Sequence, residues 1–465
     1  MATFIGGMRR IALLTALLTA MAASAASAST VYVVNGRGFG HGIGMSQYGA
    51  YGYALHHVGY RRILTHYYQH TSIGKVQPST LRVLLQQAGS VSFTNASSVN
   101  GTQLDAGTTY VATPDGSGGT DVRDSSGHEV QHFGAGALYV TGSGGSFRLL
   151  GQALNGTSGG SYAGQLEIAG DGGHLDAIDV VGLEDYVAGV VPAEAIASWP
   201  IEALKAQAVA ARSYALATHA GGSLFDQYAD TRSQEYKGLD GEASRSTQAT
   251  RATAGQVVTY RGVVATTYFF SASGGRTEDI QNVFYGSPRE PYLTSVNDPY
   301  DSVAPLHKWR FRWNRAQIQA RLGSLCAGSF ERIKVLRRGR SPRIVSANVV
   351  CSGGKRRVTG VDLKTALGLY DTWFYETRIS TSGAHRARAA SFVTGLLIPR
   401  LALTGSFEPA PPGRQLTVEQ RRRGRFVAMG TVSTAADGSF TYALKGPGTY
   451  RVRSGSTVGD PVTVH

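Results

Sequence analysis

The run LEDYVAGVVPAEAIASWPIEALKAQAVAARSYAL, residues 183 to 216, sets one carboxylate, Glu194, in a short Pro/Ala-rich turn just ahead of a helix-forming segment that carries two cations. Lys205 and Arg212 are seven residues apart, almost two helical turns, so they share one stripe with Val209. A carboxylate near a helix N-terminus is stabilised as an anion. A general acid needs the opposite shift, and burial in an apolar pocket supplies it. Val190, Val191, Ile196 and Trp199 are the side chains that could build such a pocket. On spacing alone two readings stay open: Glu194 as an acid/base, or as a helix-start charge that pairs structurally with Arg212.

A second constellation lies at residues 35 to 71, NGRGFGHGIGMSQYGAYGYALHHVGYRRILTHYYQHT. Glycines at 36, 38, 40, 42 and 44 permit positive φ or close approach of a ligand, and His41, Ser46 and Gln47 add hydrogen-bonding groups. His41, His56, His57, His66 and His70 lack a recognisable metal-ligand spacing, so no metal is expected. GRGFGHG has no βαβ context, which removes a dinucleotide loop, and no other cofactor motif stands out. In the third constellation, residues 268 to 301, Ser273 precedes Gly274-Gly275 without a G-x-S-x-G elbow. A substrate-groove loop suits it better than a nucleophile does. Ser352 to Lys355 matches S-x-x-K, but the companion motifs of that chemistry are missing.

These residues need elements to hold them. Ile201, Leu204, Ala208, Ala211, Ala215 and Thr218 recur at helical spacing, with Pro200 at one end and Gly221-Gly222 at the other. Leu81 to Gln87 reads as a strand, and the Gly/Ser-punctuated runs up to about Val181 read as hairpins. Glycine is 60 of 465 residues while 42% are hydrophobic, which points to a turn-rich globular chain. The fold expected is α+β: a mostly antiparallel β core, one prominent helix carrying the site, and a small C-terminal β-sandwich-like module.

Residues 1–28 read as a signal peptide: Arg9-Arg10, an uncharged apolar run, then Ala26-Ser27-Ala28. No later segment is apolar enough to span a membrane, so a secreted, wall-associated protein is expected. The working domain is placed at 29–379, an Ala/Ser/Arg-rich linker at 380–403 and an accessory module at 404–465, with Asp437-Gly438 as its hairpin turn. The formal charge of +14 attracts polyanions. For an exported chain these are teichoic acids, peptidoglycan carboxylates and lipid headgroups; with no nucleic-acid motif present, nucleic acid is not expected. Cys326 and Cys351 flank a basic segment read as two strands, and a disulfide between them depends on whether strand geometry brings them close.

Residues 183 to 216 resemble the long signature of the stage II sporulation protein D / LytB family, L-E-D-Y-L-x-G-V-V-P-x-E followed by S-W-P-x-E-A-L-K-A-Q-A-V-A-A-R-x-Y-A. Ala195 departs from it where methionine is usual. The GHGIGMSQYGA block and residues 268 to 301 resemble two further family segments, so the likeness runs over about 31 to 376. The family carries the GHG block near its end, after a core that here closes with VTGVDLKTALGLYDTWF at 358 to 374; the chain therefore resembles a circular permutation. Some members place zinc ligands near the third segment, but Phe270 and the lack of a nearby cysteine give no such site here. The resemblance implies a lytic transglycosylase acting on peptidoglycan glycan strands, with Glu194 as catalytic acid and with Lys205 and Arg212 also required, holding the substrate's carboxylate or acetamido groups and tuning Glu194. His41, Gln47 and Ser273 are expected along the substrate groove. The alternative is a non-catalytic wall-binding enhancer of a partner amidase.

Overall fold

A computed structural model describes residues 29–171, 173–386, 400–409 and 413–465. The expected signal peptide and residues 387–399 of the expected linker lie outside the described residues. The chain is α+β with mostly antiparallel sheets and divides into two compact units. One comprises Val34–Phe311 and Ala316–Glu376; the other takes Thr377–His465, Arg312–Arg315 and the chain up to Val33.

The larger unit is built on a long sheet. Strands Leu138–Leu149, Ser161–Asp171, His174–Gly182 and Thr80–Ala88 run antiparallel in that order, and Gln227–Tyr228 adds a short parallel edge. Alternation drives the pairing: Leu138, Val140, Phe147 and Leu149 are buried while Tyr139, Thr141 and Arg148 face out.

The helices pack beside this sheet. Gln47–Leu55 (α1) and Tyr60–Tyr67 (α2) come from the Gly/His block, where composition gave no helical signal. Leu183–Glu194 (α3) continues directly from the strand ending at Gly182. Ile201–Ala217 (α4) is the helix expected from its alanine spacing, and Ser244–Ala252 (α5) follows. Helix α4 is buried nearly all round, contacting α1, α2, α3 and α5. Its alanines at 203, 206, 208, 210, 211 and 215 are small enough to let those neighbours close in.

Glu194 was expected in a turn ahead of a helix. It is instead the last residue of α3, whose final turn contains Pro192. Proline there removes one backbone donor and marks the stop rather than preventing the helix.

Strands Phe330–Arg338, Ile344–Cys351 and Gly354–Thr359 form a separate antiparallel sheet. Cys326 and Cys351 are joined by a disulfide with a Cα–Cα distance of 5.7 Å.

In the smaller unit the ends of the expected linker are strands. Phe374–Arg386 pairs with Arg400–Glu408, and the latter pairs with Ser439–Ala443. A second sheet holds Gln415–Arg422, Arg425–Ser433 and Gly448–Ser454. Asp437-Gly438 therefore turns the chain between two sheets instead of closing a hairpin within one. Both sheets feed one core: Leu403, Phe407 and Phe440 from the first, Leu416, Val418 and Val452 from the second.

Candidate active site

The carboxylate of Glu194 is gripped from two sides. The backbone N–H of Glu235 donates to Oε1 at 2.9 Å. Gln47 Nε2, on the first residue of α1, donates to Oε2 at 3.3 Å and to the Glu194 carbonyl at 2.9 Å. Ser46 aligns α1 for this: its Oγ accepts the Gly49 N–H at 3.0 Å as an N-cap and donates to Asp301 at 2.9 Å. Gly49 has to be glycine, because a Cβ there would lie 2.0 Å from the Tyr67 hydroxyl.

Burial raises the Glu194 pKa above the usual carboxylate range; the Glu235 N–H and Gln47 pull against it, and the charge of Glu235 adds to it. The C-terminal end of α3 carries the negative pole of the helix dipole, which also disfavours the anion. This reverses the expectation from placing Glu194 at a helix start. Burial likewise raises the hydroxyls of Tyr186 and Tyr214, with the Glu194 charge a smaller contribution to each.

An aromatic cluster is built on the helix that carries Gln47. Trp199 stacks on Tyr51 with centroids 4.9 Å apart and meets Tyr48 edge-on at 5.0 Å. Tyr48 follows Gln47 directly, so the residue that touches Glu194 and the rings share one helical turn. Tyr48 and Tyr51 are half-buried, and Ile196 beside them is exposed.

The other expected site residues have structural partners. Arg212 is fully buried, and all five of its N–H groups are used. Nε and Nη2 hold Glu184 at 2.9 and 2.6 Å, while Nη1 reaches the Gln256 and Ala208 carbonyls and Nη2 also the Thr250 carbonyl. A guanidinium with no exposed surface and no spare donor presents nothing to a substrate. The expectation of a substrate contact is corrected to a tie between α3, α4 and the strand at Gln256.

Ser273 is also fully buried. Its Oγ donates to Asp298 at 2.8 Å, its N–H donates to Asp301, and its carbonyl accepts from Arg343. It anchors the third segment from within and does not line a groove. His41 accepts the Ile43 N–H at Nδ1 and sets Nε2 3.0 Å from the Phe269 carbonyl, which fixes the Nε2–H tautomer. Burial lowers its pKa to about 4. That neutral ring packs among Tyr268, Phe270 and Phe284 and braces the glycine loop. Gly38, Gly40, Gly42 and Gly44 in that loop all have positive φ. Lys205 is partly exposed, but its ammonium pairs with Glu202 at 2.8 Å and lies over Tyr60; no ion pair joins it to Glu194 among the described residues.

The sequence reading passed over Glu235 and Lys237. Their side chains pair at 3.1 Å beside the carboxylate; the alternating charges of QEYKG were the available signal. No group of three or more potential ligands could hold a metal among the described residues.

Residues 171–260, which include Glu194, match the family model described as "SpoIID: Stage II sporulation protein". The chain carries a SpoIID domain. It is 31% identical over 209 residues to Stage II sporulation protein D of Bacillus subtilis (strain 168), covering 41% of this chain and 59% of that protein. The same protein of Bacillus amyloliquefaciens matches to the same extent. An Amidase enhancer of Bacillus subtilis (strain 168) is 36% identical over 133 residues, 29% of this chain and 17% of that protein. The chain thus spans about three fifths of the sporulation proteins it resembles. No described helix of this SpoIID-domain chain is long and apolar enough to cross a membrane.

Proposed function

We propose that the chain is an exported peptidoglycan lytic transglycosylase, cleaving between N-acetylmuramic acid and N-acetylglucosamine on glycan strands stripped of stem peptides. The observation that carries this is the Glu194 carboxyl, whose pKa burial raises while Gln47 and the Glu235 N–H stand ready to receive the anion. In the first step Glu194 gives its proton to the glycosidic oxygen as the bond breaks through an oxocarbenium-like transition state. The resulting carboxylate, stabilised by the two donors, takes the proton of the muramic acid's own C6 hydroxyl. That oxygen closes on C1, and an anhydro ring forms. One carboxyl group serves both steps, so no second carboxylate is needed to activate water.

The half-buried rings of Tyr48 and Tyr51, backed by the buried Trp199, offer apolar surface to the sugar. Lys205 is assigned to substrate acetamido or carboxylate groups at the groove edge. The disulfide suits an oxidising, extracytoplasmic location. Glu194→Gln keeps the size and one of the two accepted hydrogen bonds but removes the titrating proton. Digestion of purified denuded glycan, read by mass spectrometry for anhydro-ended products, should fall at least ~10²-fold. Near-normal product would remove Glu194 from the mechanism.

A second reading, enhancement of a partner amidase without cleavage, is favoured by the likeness to the Amidase enhancer. It predicts faster stem-peptide release by an added amidase and no anhydro ends.

A further inference from the structure

Residues 330 to 359 hold nine lysines and arginines against one acidic residue, Glu331. The strand register sorts four of these charges onto one face. On the central strand, Ser346, Asn348 and Val350 are partly exposed while Ala347, Val349 and Cys351 are buried. Asn348 lies opposite Lys334 on one side and Arg357 on the other; Val350 lies opposite Arg332 and Lys355. Arg332, Lys334, Lys355 and Arg357 are all exposed. They form two cross-strand rows on the solvent face, each with an uncharged residue in the middle. Beyond them Ser346 is flanked by Thr359 and by Arg337, whose Nη1 donates to Asn282 at 2.8 Å, so the paired cations stop at two rows.

Successive rows are about 6.6–6.8 Å apart along the strands, and the flanking cations stand two strand spacings apart, roughly 9–10 Å. The result is a shallow trough walled by cations, with Ser346, Asn348 and Val350 as its floor. Four exposed cations on one face, with no carboxylate in either row, make a concentrated positive surface that attracts a polyanion. Glu376 accepts the Ile333 N–H at 3.2 Å at the strand edge, and Glu331 sits at the irregular start of its strand. Neither occupies a row. The disulfide pins this sheet through Cys351, so the trough is a fixed surface and not a mobile tail.

We infer that this face docks a linear phosphodiester polymer of the teichoic-acid kind, lying along the trough over Asn348. A polymer whose charges recur once per short polyol unit meets a pair of cations at each row. Single-stranded nucleic acid fits less well. Such sites stack bases on aromatic rings, and the rows and floor contain none. A disulfide-bonded chain also works where wall polymers, not nucleic acids, are the resident polyanions.

The test uses the full, oxidised protein and the variant R332Q/K334Q/K355Q/R357Q, whose changes are all at exposed positions. Binding is measured by co-sedimentation with purified walls bearing their phosphodiester polymer and with the same walls stripped by hydrofluoric acid. Isolated polyglycerol phosphate and single-stranded DNA serve as soluble competitors at matched charge. Wild type should bind intact walls at least tenfold more tightly than stripped walls, with a steep loss as salt rises. The variant should lose that difference while cleaving short soluble glycan as wild type does. Equal binding by the variant, equal binding of wild type to stripped walls, or preferential competition by DNA would each overturn the inference. None of these outcomes touches the assignment of Glu194.

Discussion

Replacing Arg212 separates a structural from a substrate-binding role. Arg212→Met keeps the length of the buried stem but removes the guanidinium, leaving Glu184 without its two bonds and the Gln256 carbonyl without its donor at 3.0 Å. Breaking a buried pair by removing one partner costs about 3–5 kcal/mol. Glu184 is 40% exposed, so water recovers part of its loss and the lower end applies, about 3 kcal/mol. For a unit of roughly 340 residues this lowers Tm by about 4–5 °C, read by calorimetry. The double variant E184Q/R212M should regain most of that loss. Neither a charge nor a donor is then stranded, and the side-chain amide oxygen that replaces the Glu184 carboxylate can still accept the Gly255 N–H. KM for soluble glycan, measured at 20 °C where every form is folded, should stay within a factor of two. A Tm within about 1 °C of wild type together with a tenfold rise in KM would refute the reasoning and return Arg212 to the groove.

Gln47→Ala removes a hydrogen bond that favours the Glu194 anion, so the Glu194 pKa should rise further. The alkaline limb of the pH–rate profile should move to higher pH while turnover falls about tenfold, since the carboxylate formed in the first step loses a donor. Glu194→Gln should also raise stability above the ordinary carboxylate range. The folded-state pKa is the raised one, so the wild-type contribution is intact at low pH and lost as pH rises through it; Tm of the variant should pull ahead of wild type in that window. Asp298 behaves alike. Burial and the neighbouring Asp301 push it up to about 7, against about 3.9 when unfolded. Asp298→Asn should match wild type in Tm near pH 4 and exceed it by pH 8; a gain that is flat with pH would show that the carboxyl does not titrate there.

The sequence carried the helix of the site and missed its neighbour. Alanines at helical spacing identified α4, because a helix buried on every side still shows periodic small residues. Helix α3 was hidden by Gly189 and Pro192, which read as a turn although the preceding strand feeds straight into it. The same local reading made a linker of 380–403, where Ala, Ser and Arg suggest a loop. Pairing of Phe374–Arg386 with Arg400–Glu408 makes strands of its two described ends, and strand pairing is a property of two stretches that composition of one cannot report. Charge was the most misleading cue at the site. Arg212 and Lys205 share a stripe in sequence, but one ends fully buried on Glu184 and the other on Glu202. Spacing fixes the face of a helix and leaves open what covers it.

Block order along the chain matters less to this site than adjacency in space. Gln47 reaches Glu194 across 147 residues, and Ser46 reaches Asp301 across 255. Strand Met45–Ser46 runs parallel with Phe269–Phe270, so the Gly/His block is woven into the third segment as well. In the order that the family resemblance implies, the core would end near Trp373 and the Gly/His block would follow. Here the Arg37 N–H donates to the Trp373 carbonyl at 3.0 Å, and the Gly40 N–H donates to the Tyr370 carbonyl at 3.1 Å. The entry of the block thus lies one hydrogen bond from the end of the core, where a direct covalent joint would otherwise run. A chain can be reopened at such a point with little change, because the ends to be rejoined are already in contact. The permuted order and the intact grip on Glu194 are therefore compatible: moving the block along the sequence changes the wiring of the loops and leaves Gln47 where the carboxylate needs it.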